Sequence, residues 1–133
     1  MRILLPLLLL AGCAASQTPY SPARNIGYSA LGHDPFWMVT IGDDRIVLTF
    51  GPAETGSRKL AGHSFRRVMP RMVDGVKSWE SADGTAVIMV EARREECIGS
   101  RGAVFEDRVR VRLSGRELHG CGGRRLRVPR GGR

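Results

Sequence analysis

The sequence beyond residue 36 is divided into short apolar and β-branched runs, each followed by residues that favour tight turns. The clearest run is 105–113, where Val109, Val111 and Leu113 alternate with three arginines. Alternation places successive side chains on opposite faces of a strand, so this run predicts a strand with one apolar face. No ten-residue stretch in this region has convincing helical periodicity. Six to eight short strands in hairpin order predict an all-β fold, a small antiparallel β-barrel or sandwich.

Turn residues set the order of the strands. Ser81-Ala82-Asp83-Gly84 is the strongest hairpin signal, because Asp-Gly tolerates the positive φ of a tight turn. The stretch 58–73 is ambiguous, since Gly62 and Pro70 interrupt an otherwise helix-like spacing; we favour a strand around residues 63–69. The other predicted strands cover residues 36–41, 45–50, 76–81, 85–92, 105–113 and 116–121.

The amino terminus carries a different signal. Arg2 precedes an apolar run over residues 3–11, and Leu10-Ala11-Gly12-Cys13 follows at its end. A bilayer span needs about 20 apolar residues, so this run predicts a cleavable export signal over residues 1–12. The remaining chain has room for one domain, which we place at 28–123. The polar, proline-containing stretch 13–27 is expected to be a tether.

Leu10-Ala11-Gly12-Cys13 resembles the lipobox of bacterial lipoproteins. The resemblance implies cleavage before Cys13, a diacylglyceryl group on its sulfur and acylation of the new amino terminus by a fatty acid such as palmitate. Several acyl chains would hold the protein on a membrane without spanning it. Ala14 stands where inner-membrane lipoproteins carry aspartate, which implies the periplasmic face of the outer membrane. An ordinary secretory signal with an incidental cysteine is the alternative.

The other two cysteines are Cys97 and Cys121. In an exported chain, two remaining cysteines predict one disulfide. Their spacing is not that of a C-x-x-C redox or zinc motif, and only His119 stands close to either cysteine in the sequence. We therefore expect a Cys97–Cys121 bridge, no metal site and no cofactor.

Gly32-His33-Asp34-Pro35-Phe36-Trp37 opens the first predicted strand. His33 and Asp34 could form a general-base pair or bind a metal, but no nucleophilic serine in a strained turn accompanies them. The simpler interpretation is that Pro35 starts the strand and an aromatic ring plugs one end of the barrel. His33, Asp34 and Trp37 are kept as candidate ligand or interaction residues, and His63 and His119 are expected at the surface.

The net charge of +8 is unevenly distributed. Five arginines and no acid lie in residues 124–133, which we predict to be a tail outside the domain. The body of the chain is nearly neutral, which argues against a nucleic-acid groove. In a cell envelope, the tail could bind anionic lipid or acidic polysaccharide, in a salt-dependent way, or could remain solvated.

Gly32 through Trp37, together with Cys97 and Gly120-Cys121, resembles a family of small bacterial envelope proteins for which no activity is established. The likeness covers most of residues 28–123, but Ile98-Gly99-Ser100-Arg101 departs from the acidic turn common there. A more distant likeness is to the β-domains of heat-shock and lysozyme-inhibitor lipoproteins. These resemblances imply location and fold class. We expect a non-catalytic binding or structural module on a membrane; the alternatives are an inhibitor of a secreted hydrolase such as lysozyme, a carrier of a small apolar ligand, or an enzyme.

Overall fold

The computed structural model describes residues 22–51 and 61–127, which form one curled antiparallel sheet. The all-β prediction is confirmed, with nine strands in the described part. Cys13, the first part of the tether and residues 128–133 lie outside the described residues. The strands are β1 (Tyr28–Gly32), β2 (Trp37–Ile41), β3 (Arg45–Phe50), β4 (Ala61–Arg66), β5 (Arg71–Val73), β6 (Val76–Asp83), β7 (Ala86–Ile98), β8 (Val104–Leu113) and β9 (Arg116–Arg127).

The sheet consists of two meanders joined at one seam. The strand order is β4-β3-β2-β1-β9-β8-β7-β6-β5, so every pair except β1–β9 joins strands that are consecutive in the chain. The seam is short and matches Ala30 with Gly122 and Leu31 with Cys121. Curling brings β4 near β6, where the Ser81 hydroxyl donates a hydrogen bond of 2.6 Å to the Arg66 carbonyl. The result is a half-barrel with one concave face.

The concave face holds the hydrophobic core. The residues predicted to point inward along β8 do so, with Val109 and Val111 fully buried and Leu113 packed at the margin. Both meanders contribute, so the core forms only when they meet across the seam. Burial of side chains of this size is the main favourable contribution to folding. The largest fully buried side chains are Trp37, Val39, Ile46, Leu48, Ile88, Val90, Val109 and Val111.

Two strands are additional to those predicted, because neither has the apolar alternation that identifies a strand. β1 has only five residues and lies in the seam, and β5 has only three residues, all exposed. The strand predicted at 63–69 exists but is shifted, since β4 covers Ala61–Arg66. Within the described residues there is one 3₁₀ turn, Ser100–Gly102, and no helix long and apolar enough to cross a membrane.

The final strand continues beyond the predicted end of the domain at Gly123. Arg125 pairs with Phe105 and Arg127 with Val104, so residues 124–127 belong to β9. The predicted boundary between domain and tail at residues 123 and 124 is therefore wrong, because the domain extends at least to residue 127. The arginine-rich composition does not predict a strand here, because it contains no apolar alternation. The pairing is made by the backbone, which needs no apolar side chain.

Candidate functional site

The predicted disulfide between Cys97 and Cys121 is present, with Cα atoms 5.4 Å apart. It lies on the outer, convex face of the sheet, because Cys121 alternates with Gly120 and Gly122, which face core side chains such as Trp37 and Val109. Cys121 pairs with Arg108 of β8, so the bridge passes over β8 to reach β9 from the end of β7. Strands two positions apart in a flat sheet are separated by about 9.5 Å, too far for a disulfide. The end of β7 must therefore bend across its neighbour.

Two β-bulges produce this bend. Glu95 and Glu96 of β7 lie opposite the single residue Glu106 of β8, and on the other side Gly123 and Arg124 of β9 also lie opposite Glu106. A bulge bends its strand and increases the local twist. Gly123 has a φ of +75°, which glycine adopts without strain. The paired bulges thus allow the end of β7 to fold over the outer face.

The folded-over end of β7 forms one wall of an open cleft of about 280 Å³. Its floor is the outer face of the β1–β9–β8 region, because His119 and Cys121 alternate with the inward-facing Leu118 and Gly120. The cleft thus joins segments that are far apart in the sequence. Its lining residues are Leu31, Gly32, His33, Cys97, Ile98, Gly99, Ser100, Arg108, His119, Gly120 and Cys121.

The polar side chains in the cleft are those of His33, Ser100, Arg108 and His119, and none of the described lining residues is acidic. Two carboxylates lie nearby. Glu95 Oε2 is 3.6 Å from Arg108 Nε, and Glu117 Oε1 is 3.5 Å from His119 Nε2. These pairs are solvent-exposed and therefore weak. Arg108 keeps further guanidinium donors, so the cleft can offer hydrogen bonds to an anionic group.

The structure does not join His33 and Asp34 into a catalytic pair. Within the described residues no hydrogen bond connects them, and the His33 ring instead lies 5.6 Å from the Phe36 ring, centroid to centroid. Asp34 is exposed at a positive φ of 59°, precedes a cis peptide bond to Pro35 and is not part of the cleft lining. Of these two residues, only His33 therefore belongs to the candidate site.

Trp37 is only 1% exposed and belongs to the core. It cannot contact a ligand or partner directly, so its place among the candidate interaction residues is not supported. Its indole fixes the two glycines of the seam. A Cβ at Gly32 would lie 2.3 Å from Trp37 Nε1, and a Cβ at Gly120 would lie 2.0 Å from the Leu31 carbonyl oxygen. Packing therefore explains Gly32 and Trp37 of the Gly-x-x-Pro-Phe-Trp pattern, whereas Phe36 is 44% exposed.

A buried polar cluster lies beside the bulges. Asp107, which is 5% exposed, accepts hydrogen bonds from the Tyr28 hydroxyl at 2.8 Å and from Arg94 Nε at 2.9 Å. Burial and this carboxylate raise the pKa of Tyr28 far above its ordinary value. The cluster thus connects β1 with β8 close to the seam. This cluster was not predicted from the sequence. The signal that could have found it is the position of Asp107, which lies in register with the inward-facing valines of its strand.

Glu106, the residue at the centre of both bulges, is held as a carboxylate. Its pKa is lowered, chiefly by a hydrogen bond from the backbone N–H of Arg124 and further by the charges of Arg94 and Arg124. The guanidinium groups lie 3.4 Å (Arg94) and 3.7 Å (Arg124) from its Oε2. These contacts add to the backbone pairing that joins Arg124 of β9 to β8.

Comparison of the chain with protein-family models, curated proteins and solved structures finds no match. The cleft is therefore interpreted from its own chemistry. Among the described residues, no group of three or more His, Cys, Asp or Glu side chains is placed to hold a metal ion.

Proposed function

We propose that this chain is an exported envelope lipoprotein, anchored through acyl chains on Cys13, whose β-domain is a non-catalytic binding module. The sequence support is the lipobox-like segment Leu10-Ala11-Gly12-Cys13. The Cys97–Cys121 disulfide is consistent with this location, because disulfides persist in oxidising compartments outside the cytosol. The position after the anchor, Ala14, favours the outer membrane.

The observation that carries the binding part of the proposal is the composition of the outer-face cleft. Arg108, His33 and His119 come from three different strands or loops and converge on one opening that no described acidic residue lines. Such a site suits an anionic group on a partner, for example a carboxylate, sulfate or phosphate of an envelope polysaccharide. Among the described residues, Ser100 of the cleft has no hydrogen bond to either histidine, an arrangement that suits binding better than catalysis.

The apolar-carrier alternative is less well supported than binding at the cleft. The concave face of the half-barrel is filled by large side chains such as Trp37, Ile46 and Leu48, each fully buried. A ligand inside would have to displace them at a cost of several kcal/mol. The hydrolase-inhibitor alternative stays a prediction, and clearance of a peptidoglycan suspension by lysozyme with and without the protein tests it.

Anchoring is tested by Cys13→Ser. We expect this variant to lose labelling by a radioactive fatty acid and to accumulate as uncleaved precursor. Normal processing of the variant would refute the anchor.

Cleft binding is tested with heparin as an anionic polysaccharide probe, at low salt, using the mature protein. Arg108→Ala should weaken binding about threefold to tenfold, because a charge-assisted hydrogen bond at an exposed site is worth about 1 kcal/mol. Arg112→Ala is the matched control: it lies on the same face of β8, is exposed, and does not line the cleft. Equal losses in both variants would show general electrostatic attraction and no defined site.

A further inference from the structure

The most exposed apolar surface outside the cleft lies at the connection between β4 and β5. Met69 is 74% exposed, Met72 67% and Val73 55%. We call residues 66–73 the basic loop. Three neighbouring apolar residues with such exposure are unusual on a soluble surface and commonly mark a contact site.

The base of the basic loop is held by specific contacts. The Arg66 carbonyl accepts the hydrogen bond from Ser81, and Val68 packs against the hydrophobic core. On the far side, β5 pairs with β6 from Arg71 to Val73. Met69 follows Val68 directly and is exposed, so this methionine is presented to solvent beside a residue that is packed against the core.

The charge around these apolar residues is positive. Arg66, Arg67 and Arg71 are all exposed, and the sequence contains no acidic residue between Glu54 and Asp74. Exposed apolar tips among arginines are the combination that binds the interface of an anionic bilayer, where the apolar groups enter the headgroup region and the charges meet lipid phosphates.

The loop is poorly suited to a strand-addition partner. β5 ends the described sheet, but it has only three residues and lies between Pro70 and the positive-φ pair Asp74-Gly75. A short edge bounded in this way offers few backbone groups for pairing.

We propose that the basic loop docks the domain on anionic phospholipid, with Met69 and Met72 entering the headgroup layer. The proposal rests on the proposed function, because an anchor at Cys13 keeps the domain at a membrane surface. Residues 23–27 are held against the β2–β3 turn, where the N–H of Arg24 donates to Asp44 and that of Gly27 to the Ile41 carbonyl. The nine residues from 13 to 21 therefore separate the anchor from the described domain, and a chain of that length can span up to about 30 Å.

The experiment uses the mature protein carrying Met69→Trp, reconstituted into vesicles that contain brominated phosphatidylcholine with or without phosphatidylglycerol. The wild-type signal from the buried Trp37 and Trp79 is subtracted. Fluorescence of the new tryptophan should be quenched and blue-shifted in vesicles with phosphatidylglycerol and much less in neutral ones. The control is Val87→Trp, which should show neither change; Val87 is 44% exposed and lies in β7 beside the β6–β7 turn, at the opposite end of this hairpin from β5.

Charge dependence is tested by adding Arg67→Gln and Arg71→Gln to Met69→Trp. Each removal should weaken the anionic-lipid response about fivefold. Equal quenching at positions 69 and 87, or no quenching at 69, would overturn the docking proposal. Cross-linking of position 69 to an envelope protein without lipid quenching would overturn it in favour of a protein partner.

Failure of the anchor gives a different result. A protein without acyl chains would not float with neutral vesicles, which would contradict the proposed function. Quenching at position 69 on anionic vesicles would still support the loop in that case, and its absence would still overturn it.

Discussion

Removal of the disulfide, by changing Cys97 and Cys121 to alanine, should destabilise the domain strongly. The bridge joins residues 24 apart in the chain. Closing a loop of about 25 residues lowers the entropy of the unfolded chain by about 12 cal/mol/K, which corresponds to about 3.5 kcal/mol at 25 °C. Small domains have a total stability of only about 5–15 kcal/mol. The double variant should therefore lose a quarter or more of its free energy of unfolding.

The assay is urea unfolding followed by near-UV circular dichroism, together with thermal melting. A loss of about 3.5 kcal/mol corresponds to a fall in Tm of about 15 °C for a domain near 100 residues. Because the effect acts on the unfolded chain, the dependence of the unfolding free energy on urea should become steeper as that chain expands. Wild-type protein kept reduced should behave like the double variant.

A loss below about 1 kcal/mol with an unchanged urea dependence would refute this reasoning. It would mean that the unfolded chain is already compact between residues 97 and 121. Loss of cooperative folding would refute it in the other direction, since it would show that the bridge is needed to hold the bulged end of β7 over β8 in the native state.

Three further predictions concern the seam and the final strand. A chain ending after Gly123 loses the last pairs of β9 and should have a Tm well below that of wild type, whereas a chain ending after Arg127 should keep the wild-type Tm. Equal Tm values for the two truncated chains would show that residues 124–127 do not stabilise the domain. The pKa of Tyr28 is raised above its ordinary value of 10.0, so the folded protein keeps a proton that the unfolded chain releases above pH 10. The free energy of unfolding should therefore fall as pH rises above 10. In urea unfolding at pH 9 and 11, Tyr28→Phe should lose this dependence on pH. An unchanged slope would assign the effect to other groups. Gly120→Ala would place a Cβ 2.0 Å from a β1 carbonyl oxygen and should lower the free energy of unfolding by about 1–3 kcal/mol or more. Gly27→Ala is the control, because its Cβ would meet nothing within 4 Å, and it should be near neutral. Similar stabilities of the two variants would contradict the close approach at the seam.

Strands with an apolar face were predictable because alternation and turn residues are local. β3, β6 and β8 follow the expected pattern, and the predicted β6–β7 hairpin is present with a positive φ at Gly84, although its turn is Gly84-Thr85 and β6 extends through Asp83. On β3 the outward-pointing Val47 and Thr49 are buried as well, which alternation alone does not reveal.

The segments that escaped prediction are held by backbone pairing and not by apolar side chains. β7 runs through a charged stretch that includes Arg93 and Glu96, and its bulge breaks the period of two. β9 continues through arginines for the same reason. Composition alone makes both stretches look like solvated loop.

The candidate site was predictable only in part, because the sheet order assembles it. Cys97 and Cys121 could be paired by counting cysteines in an exported chain. The sequence predicts Arg108 and His119 only as exposed residues of two separate strands. Only the placement of β1 beside β9, a pairing between the first and last strands, brings His33 to the same opening.

The two-meander architecture has a consequence for how the chain can be divided. Each meander forms from neighbouring hairpins, and the described sheet is joined between them along β1 and β9. A break in the chain between Arg66 and Arg71 would cut no strand, and it would leave a four-stranded and a five-stranded fragment with complementary apolar faces. Two such fragments, produced as separate polypeptides, should reassociate into one domain, and the rate of that reassociation would report directly on closure of the β1–β9 seam.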